Sequence, residues 1–180
     1  MDHHVVVAYP EFSEKDLAWI EAIRITFDPE ADLIAPHVTL VYPIAEHQIA
    51  VHEVILHTRA VALDTPPFDM HLRCALMMPD IAGTGAHIFL VPDEGFSHFV
   101  KLHDHLYQVP LAPYLRLDLP FIPHVKVGSG SDAAVLYQVA QELNESGFAP
   151  HAFIDRLSVI HYTPDKVTTL EHMTLAGHVT

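Results

Sequence analysis

Apolar and polar positions alternate in short runs separated by stretches with helical spacing, and the boundaries between them outline the elements. Residues 4–9 read as a first strand stopped at Pro10. Ser13 caps a helix with Asp16 at its third position, and Leu17, Ile20, Ile23 and Arg24 follow at helical spacing until Asp28-Pro29. A strand is predicted over about 37–42, then a helix over about 46–58 with Ile49, Val54 and Ile55 inward. After the Thr65-Pro66-Pro67 turn, strands at about 68–78 and 86–91 flank the glycine-bearing loop 80–85 as a long hairpin. A helix over about 94–106 leads to the proline-rich passage 110–120.

The last third predicts another strand from about 124, a Gly128-Ser129-Gly130 turn, and a helix capped by Ser131 or Asp132, reaching about Glu145 and closed by Gly147. Strands over about 152–162 and 168–177 are separated by Thr163 to Lys166. Strands and helices alternate irregularly, with hairpins in the middle and at the end, so the expected class is α+β rather than a doubly wound parallel sheet. No linker divides residues 1–180, and one domain is expected.

Within this pattern one hexapeptide nearly repeats: Pro36-His37-Val38-Thr39-Leu40-Val41 returns as Pro123-His124-Val125-Lys126-Val127-Gly128. Strand alternation puts His37 with Thr39 and His124 with Lys126 on one face, while Val38, Leu40, Val125 and Val127 point to the buried side. The prolines bias Ala35 and Ile122 toward extended backbone. Of the chain's 16 histidines, only these two stand in matching frames.

Two imidazoles facing one cleft suit a reaction that removes a proton from a nucleophile and gives another to a leaving oxygen, as phosphodiester hydrolysis does. With an unperturbed pKa of roughly 6.5, one imidazole can start neutral and the other charged near physiological pH. The Thr39 hydroxyl and Lys126 ammonium are the candidate phosphate-binding groups.

The paired His-x-Thr frames resemble the 2H phosphoesterase superfamily, which includes 2′,5′-RNA ligase-like proteins and RNA 2′,3′-cyclic phosphodiesterases. His37-Val38-Thr39-Leu40 matches its His-x-Thr/Ser motif in full; His124-Val125-Lys126-Val127 keeps the histidine and replaces Thr/Ser by Lys126. The resemblance implies two pseudo-symmetric lobes, with antiparallel-rich sheets flanked by helices around a central cleft. It further implies metal-independent hydrolysis of 2′,3′-cyclic phosphates on nucleotides or RNA ends, yielding the 2′-phosphate, with His124 activating water and His37 protonating the 3′-oxygen. A catalytically silent nucleotide-binding relative and a 2′,5′-phosphodiester hydrolase or ligase are the alternatives.

Composition narrows the partners. With 23 acidic against 9 basic residues the formal charge is −14, which opposes binding of long nucleic acid and favours a small nucleotide or an RNA end. One cysteine, Cys74, excludes an internal disulfide and fits a reducing, cytoplasmic compartment; no run approaches the roughly 20 apolar residues of a spanning helix, so no membrane contact is expected, and a monomer is expected. No cofactor or metal is expected. His103-Asp104-His105 is the densest ligand cluster, but helical positions two apart diverge, and His98 and His105 lie two turns apart, roughly 10 Å. Tyr42 is expected to pack in the core, Tyr9 is the better candidate for stacking on a nucleobase, and His161-Tyr162 reads as part of an edge strand.

Overall fold

The computed structural model describes residues 2–80 and 83–177; residues 81 and 82 of the 80–85 hairpin loop lie outside it. In chain order the elements are β1 (His3–Ala8), β2 (Glu11–Phe12), α1 (Glu14–Phe27), β3 (Val38–Ala45), α2 (Val51–Asp64), β4 (Phe68–Pro79) and β5 (Ala86–Glu94). Then follow α3 (Phe96–Leu106), a 3₁₀ turn (Ala112–Tyr114), β6 (Val125–Gly130), α4 (Ala133–Ser146), β7 (His151–Ile154), β8 (Arg156–Thr163) and β9 (Lys166–Thr174). Every pairing is antiparallel. The strands form a four-stranded sheet, β3-β1-β8-β9, and a five-stranded sheet, β2-β7-β4-β5-β6.

The orders β3-β1-β8-β9 and β6-β5-β4-β7 correspond strand for strand, so the expected two-lobed α+β architecture is present. Both motif strands, β3 and β6, are edge strands. The helices exchange between the lobes. Although α1 lies in sequence between β1 and β3 of the four-stranded sheet, after the two-residue β2, it packs on β6; α3 joins β5 and β6 of the other sheet and packs on β3. Gly128 of β6 permits this approach, since a Cβ there would lie 3.2 Å from the Phe27 Cβ of α1 and 3.1 Å from Ile88 Cδ1. A single buried cluster reaches from Val6, Leu40 and Val159 to Ile88, Leu90 and Val127, joining both sheets.

Local chemistry sets several boundaries as expected. The Ser13 side chain accepts from the Asp16 backbone N–H at 3.1 Å and starts α1. Asp132 caps α4, and Gly147 ends it at φ +67°, in the left-handed region glycine tolerates.

Three expectations need correction. α2 runs from Val51 to Asp64 rather than over 46–58: it starts late because Gln48 closes a turn on Ala45, its backbone N–H donating to the Ala45 carbonyl at 2.9 Å and its side-chain oxygen accepting from Ala45 N–H at 3.2 Å, and it continues to the cap at Thr65. Gly128-Ser129-Gly130 is not a turn; it continues β6 and pairs with Ala86, His87 and Ile88. The 152–162 run is two strands in different sheets, with the chain crossing from one sheet to the other at Asp155.

Candidate active site

His37 and His124 each sit one residue before an edge strand, after a buried proline. The backbone there is extended but not yet paired, so the carbonyl two residues back is available to the ring. His37 Nδ1 donates to Ala35 O at 2.9 Å, and His124 Nδ1 donates to Ile122 O at 2.6 Å. A carbonyl only accepts, so in each neutral ring the proton is on Nδ1 and the Nε2 lone pair is left for chemistry. The two lobes thus orient their histidines by the same device.

Both histidines line one cleft of about 220 Å³ together with Thr39, Lys126, Glu30, Tyr42 and Tyr162. All four residues singled out in the sequence are therefore in one place. The floor is the face of the four-stranded sheet that the helices leave uncovered, where Val5, Val7, Ile34 and Ile160 form a second apolar cluster. Each motif strand carries a bulge just past its polar pair. Val7 and Val6 of β1 oppose Thr39 and Val41, leaving Leu40 extra, and Phe89 and Ile88 of β5 oppose Lys126 and Gly128, leaving Val127 extra.

The bulge at Leu40 reverses the strand's alternation, so Tyr42 faces the cleft instead of the core position expected for it. Its backbone N–H donates to the Tyr107 hydroxyl at 3.0 Å. Tyr9 stands beside His37, ring centroids 6.2 Å apart. Tyr162 is also corrected: β8 is an interior strand between β1 and β9, and its tyrosine enters the cleft and donates to Glu30 Oε1 at 2.8 Å, whereas His161 takes the other face.

Lys126 does not stand alone. Its ammonium bonds Glu30 and lies 3.2 Å from Asp28 Oδ1, a carboxylate whose other oxygen is 3.4 Å from Arg24 Nε. Those acids reach β6 because α1 packs there and ends beside it. Sequence reading took Asp28-Pro29 only as a helix stop; nothing local indicates a partner nearly 100 residues away. Burial pushes the Glu30 carboxyl up, but the Lys126 bond and charge and the Tyr162 hydroxyl outweigh it and hold Glu30 below its ordinary range. Tyr162 in turn is pushed up to about 12 by burial and by Glu30.

The histidines are held neutral. Burial pushes His124 down to about 4, against its bond to Ile122, and His37, His87 and Lys126 add to the depression. Phe89 covers one face of the ring, stacked on His124 at 3.5 Å and 14°. Burial also lowers His37, opposed by the Ala35 bond and reinforced by Arg24 and Lys126. Beyond Phe89 the cleft continues into a hollow of about 440 Å³ walled by Tyr42, Met78, His87, Pro120 and Ile122. Phe89 was missed at the sequence level, although its alternation with His87 along β5 places both rings on one face.

Two of the histidines weighed as metal ligands pack on aromatic rings: His103 stacks on Phe121 at 3.9 Å and His98 on Phe68 at 5.0 Å. Cys74 is exposed, and among the described residues no helix is long and apolar enough to cross a membrane.

A protein of Oceanobacillus iheyensis, to which phosphoesterase activity is attributed by name, is 20% identical over 172 residues, covering 96% of each chain. Among solved structures, a Thermus thermophilus protein superposes with a TM-score of 0.63 at 15% identity, covering 98% of this chain and 100% of that one. Escherichia coli LigT in complex with 3′-AMP gives 0.61 at 13% identity, covering 97% and 99%. The pattern that defines the 2′-5′ RNA ligase superfamily matches residues 10–166, spanning both histidine motifs, and the chain belongs to that family of phosphoesterases.

Proposed function

We propose that the protein hydrolyses 2′,3′-cyclic phosphates on nucleotides or RNA ends, without a metal in the chemical step, through His37 and His124. The observation that carries this reading is the matched orientation of two imidazoles in one cleft, each with Nδ1 tied to a backbone carbonyl and Nε2 left for proton transfer.

In the hydrolytic direction, His124 Nε2 takes a proton from water as its oxygen bonds to phosphorus. The bond from phosphorus to the 3′-oxygen breaks, and protonated His37 gives its proton to that oxygen, leaving a 2′-phosphate. The Thr39 hydroxyl and the Lys126 ammonium contact the non-bridging oxygens. Since burial favours neutral rings, the negative charge of the bound phosphate is what stabilises the one imidazolium the reaction needs. The hollow beside Phe89 suits a flat apolar group such as a nucleobase. LigT, which shares the fold, is seen with 3′-AMP, consistent with a nucleotide-sized ligand.

The test is turnover of the four nucleoside 2′,3′-cyclic phosphates in excess EDTA by wild type, His37→Ala and His124→Ala, with 2′- and 3′-monophosphates resolved. Wild-type turnover to the 2′-product, lost in both variants, is the expected result. Near-full activity in both variants would refute the assignment. One observation favours a second reading, a silent nucleotide-binding relative: Lys126 is already engaged by Asp28 and Glu30. Nucleotide binding with no turnover of any cyclic phosphate would select it.

A further inference from the structure

On the other face of the four-stranded sheet, at the open end of β1, three donors converge. One ligand atom each from Asp2, Glu46 and His161 lies within 4.8 Å of the other two. His161 Nε2 is 3.7 Å from Asp2 Oδ2 and 3.9 Å from Glu46 Oε1. Donors about 2.1 Å from a tetrahedral zinc ion stand about 3.4 Å apart. The two imidazole-to-carboxylate spacings are therefore within about half an ångström of the required values.

The backbone fixes this convergence. Glu46 N–H donates to Asp2 O at 3.0 Å, joining the start of the chain to the end of β3. His4 opposes His161 directly across the β1–β8 ladder, which puts both rings on one face. Asp2 and Glu46 sit at the solvent rim and the rings beneath them.

Two carboxylates beside a histidine could be a solvated ion-pair cluster. His4 distinguishes the two cases. It is 2% exposed, its Nδ1 has no hydrogen-bond partner, its ring centroid is 6.3 Å from that of His161, and it lines the same hollow as Asp2, Glu46 and His47. Four buried side-chain polar atoms among the described residues have no hydrogen-bond partner, and of their residues His4 alone lines this hollow, where a cation able to coordinate nitrogen would satisfy it.

We propose that Asp2, Glu46 and His161, with His4 turned in as the fourth donor, bind one divalent transition-metal ion of the zinc type. Two imidazoles and two carboxylates suit Zn²⁺ or Co²⁺ better than Mg²⁺ or Ca²⁺, which take all-oxygen shells. The site is separate from the cleft: Val5 and Ile160, the neighbours of His4 and His161 along their strands, line the cleft on the opposite face. The bound ion is structural. It ties the first residues of β1 to the β3–α2 turn and to β8, three segments far apart in sequence.

The experiment uses the full chain, stripped with chelator and dialysed against Co²⁺ or Zn²⁺. It reads stoichiometry, the visible d–d bands of four-coordinate Co²⁺ and the metal-induced rise in Tm. Wild type is expected to take up one tightly held ion, and at 100-fold excess over Kd its Tm should rise on the order of 5–10 °C. Glu46→Gln and His161→Ala should each weaken binding by about tenfold or more. Glu46 is a half-exposed turn residue, so E46Q separates loss of a ligand from loss of fold. A His71→Ala/His151→Ala control, removing a histidine pair in the other sheet, should leave metal uptake and the metal-induced rise in Tm unchanged. Uptake that survives E46Q and H161A, or Co²⁺ binding without four-coordinate bands, would overturn the proposal. No readout depends on turnover at the cleft.

Discussion

Replacing Lys126 by Met tests what this lysine does for the protein apart from any contact with substrate. Asp28 is the sensitive partner: its side chain is 1% exposed, so it cannot turn to water when the ammonium is removed, whereas Glu30 is 37% exposed and can. Removing one member of a buried pair costs roughly 3–5 kcal/mol, but Arg24 Nε remains 3.4 Å from Asp28, which reduces that share to about 2 kcal/mol. The partly exposed Glu30 contact adds at most about 1 kcal/mol. K126M is therefore expected to lose about 2–3 kcal/mol, read by urea denaturation, with a Tm lower by about 5–10 °C. Double-mutant cycles divide the loss: coupling of Lys126 to Asp28 through D28N should be about 2 kcal/mol, and to Glu30 through E30Q less than about 1 kcal/mol. A loss under about 0.5 kcal/mol, or a larger coupling to Glu30 than to Asp28, would refute the reasoning. A rise in KM beyond the stability change would be the separate signature of phosphate contact.

Other outcomes follow from the cleft. His37→Ala and His124→Ala should each lower kcat by about 10²–10⁴-fold, and Thr39→Ala by about 10–10³-fold, measured on whichever cyclic phosphate wild type turns over. Because both imidazoles are depressed, the singly protonated pair becomes scarcer above pH ~6.5, and kcat/KM should fall about tenfold per unit there, with the acid limb near pH 4. A plateau from pH 6.5 to 8 in kcat/KM would contradict that. The folded chain resists protonating His124 while the unfolded chain accepts the proton below about 6.5, so stability should drop as pH falls from about 6.5 to 4, by up to about 3 kcal/mol. Phe89→Ala should bring His124 back toward its unperturbed value in an NMR titration; a value still near 4 would mean that the stacked ring is not the source of the burial.

The sequence made the paired frames legible because both halves use the same local device: proline, histidine, then alternating apolar positions. Caps at Ser13 and Gly147 were equally local and equally readable. What escaped was set by distant parts of the chain. Asp28 and Glu30 become partners of Lys126 only because α1 docks on the opposite lobe. The two bulges depend on how β1 and β5 pair with their neighbours, so the inward turn of Tyr42 could not be read from β3 alone. The split at Asp155 was likewise set at a distance: β7 buries alternate positions, Ala152 and Ile154, whereas β8 lies inside its sheet and buries Leu157, Ser158, Val159 and Ile160 in succession, so no local pattern marks the crossing.

The exchange of α1 and α3 between lobes bears on how substrate gets in. Many clefts between two sheets widen by a hinge, with each half moving as a unit. Here the half that carries His37 also carries the helix packed against the strand that follows His124, and the reverse holds for α3 and β3. Spreading the jaws would peel Phe27 from Gly128 and expose part of the core shared by both sheets. The cleft therefore keeps a fixed gauge, and in the proposed reaction the phosphate would have to fit a slot of about 220 Å³ that does not widen by a hinge.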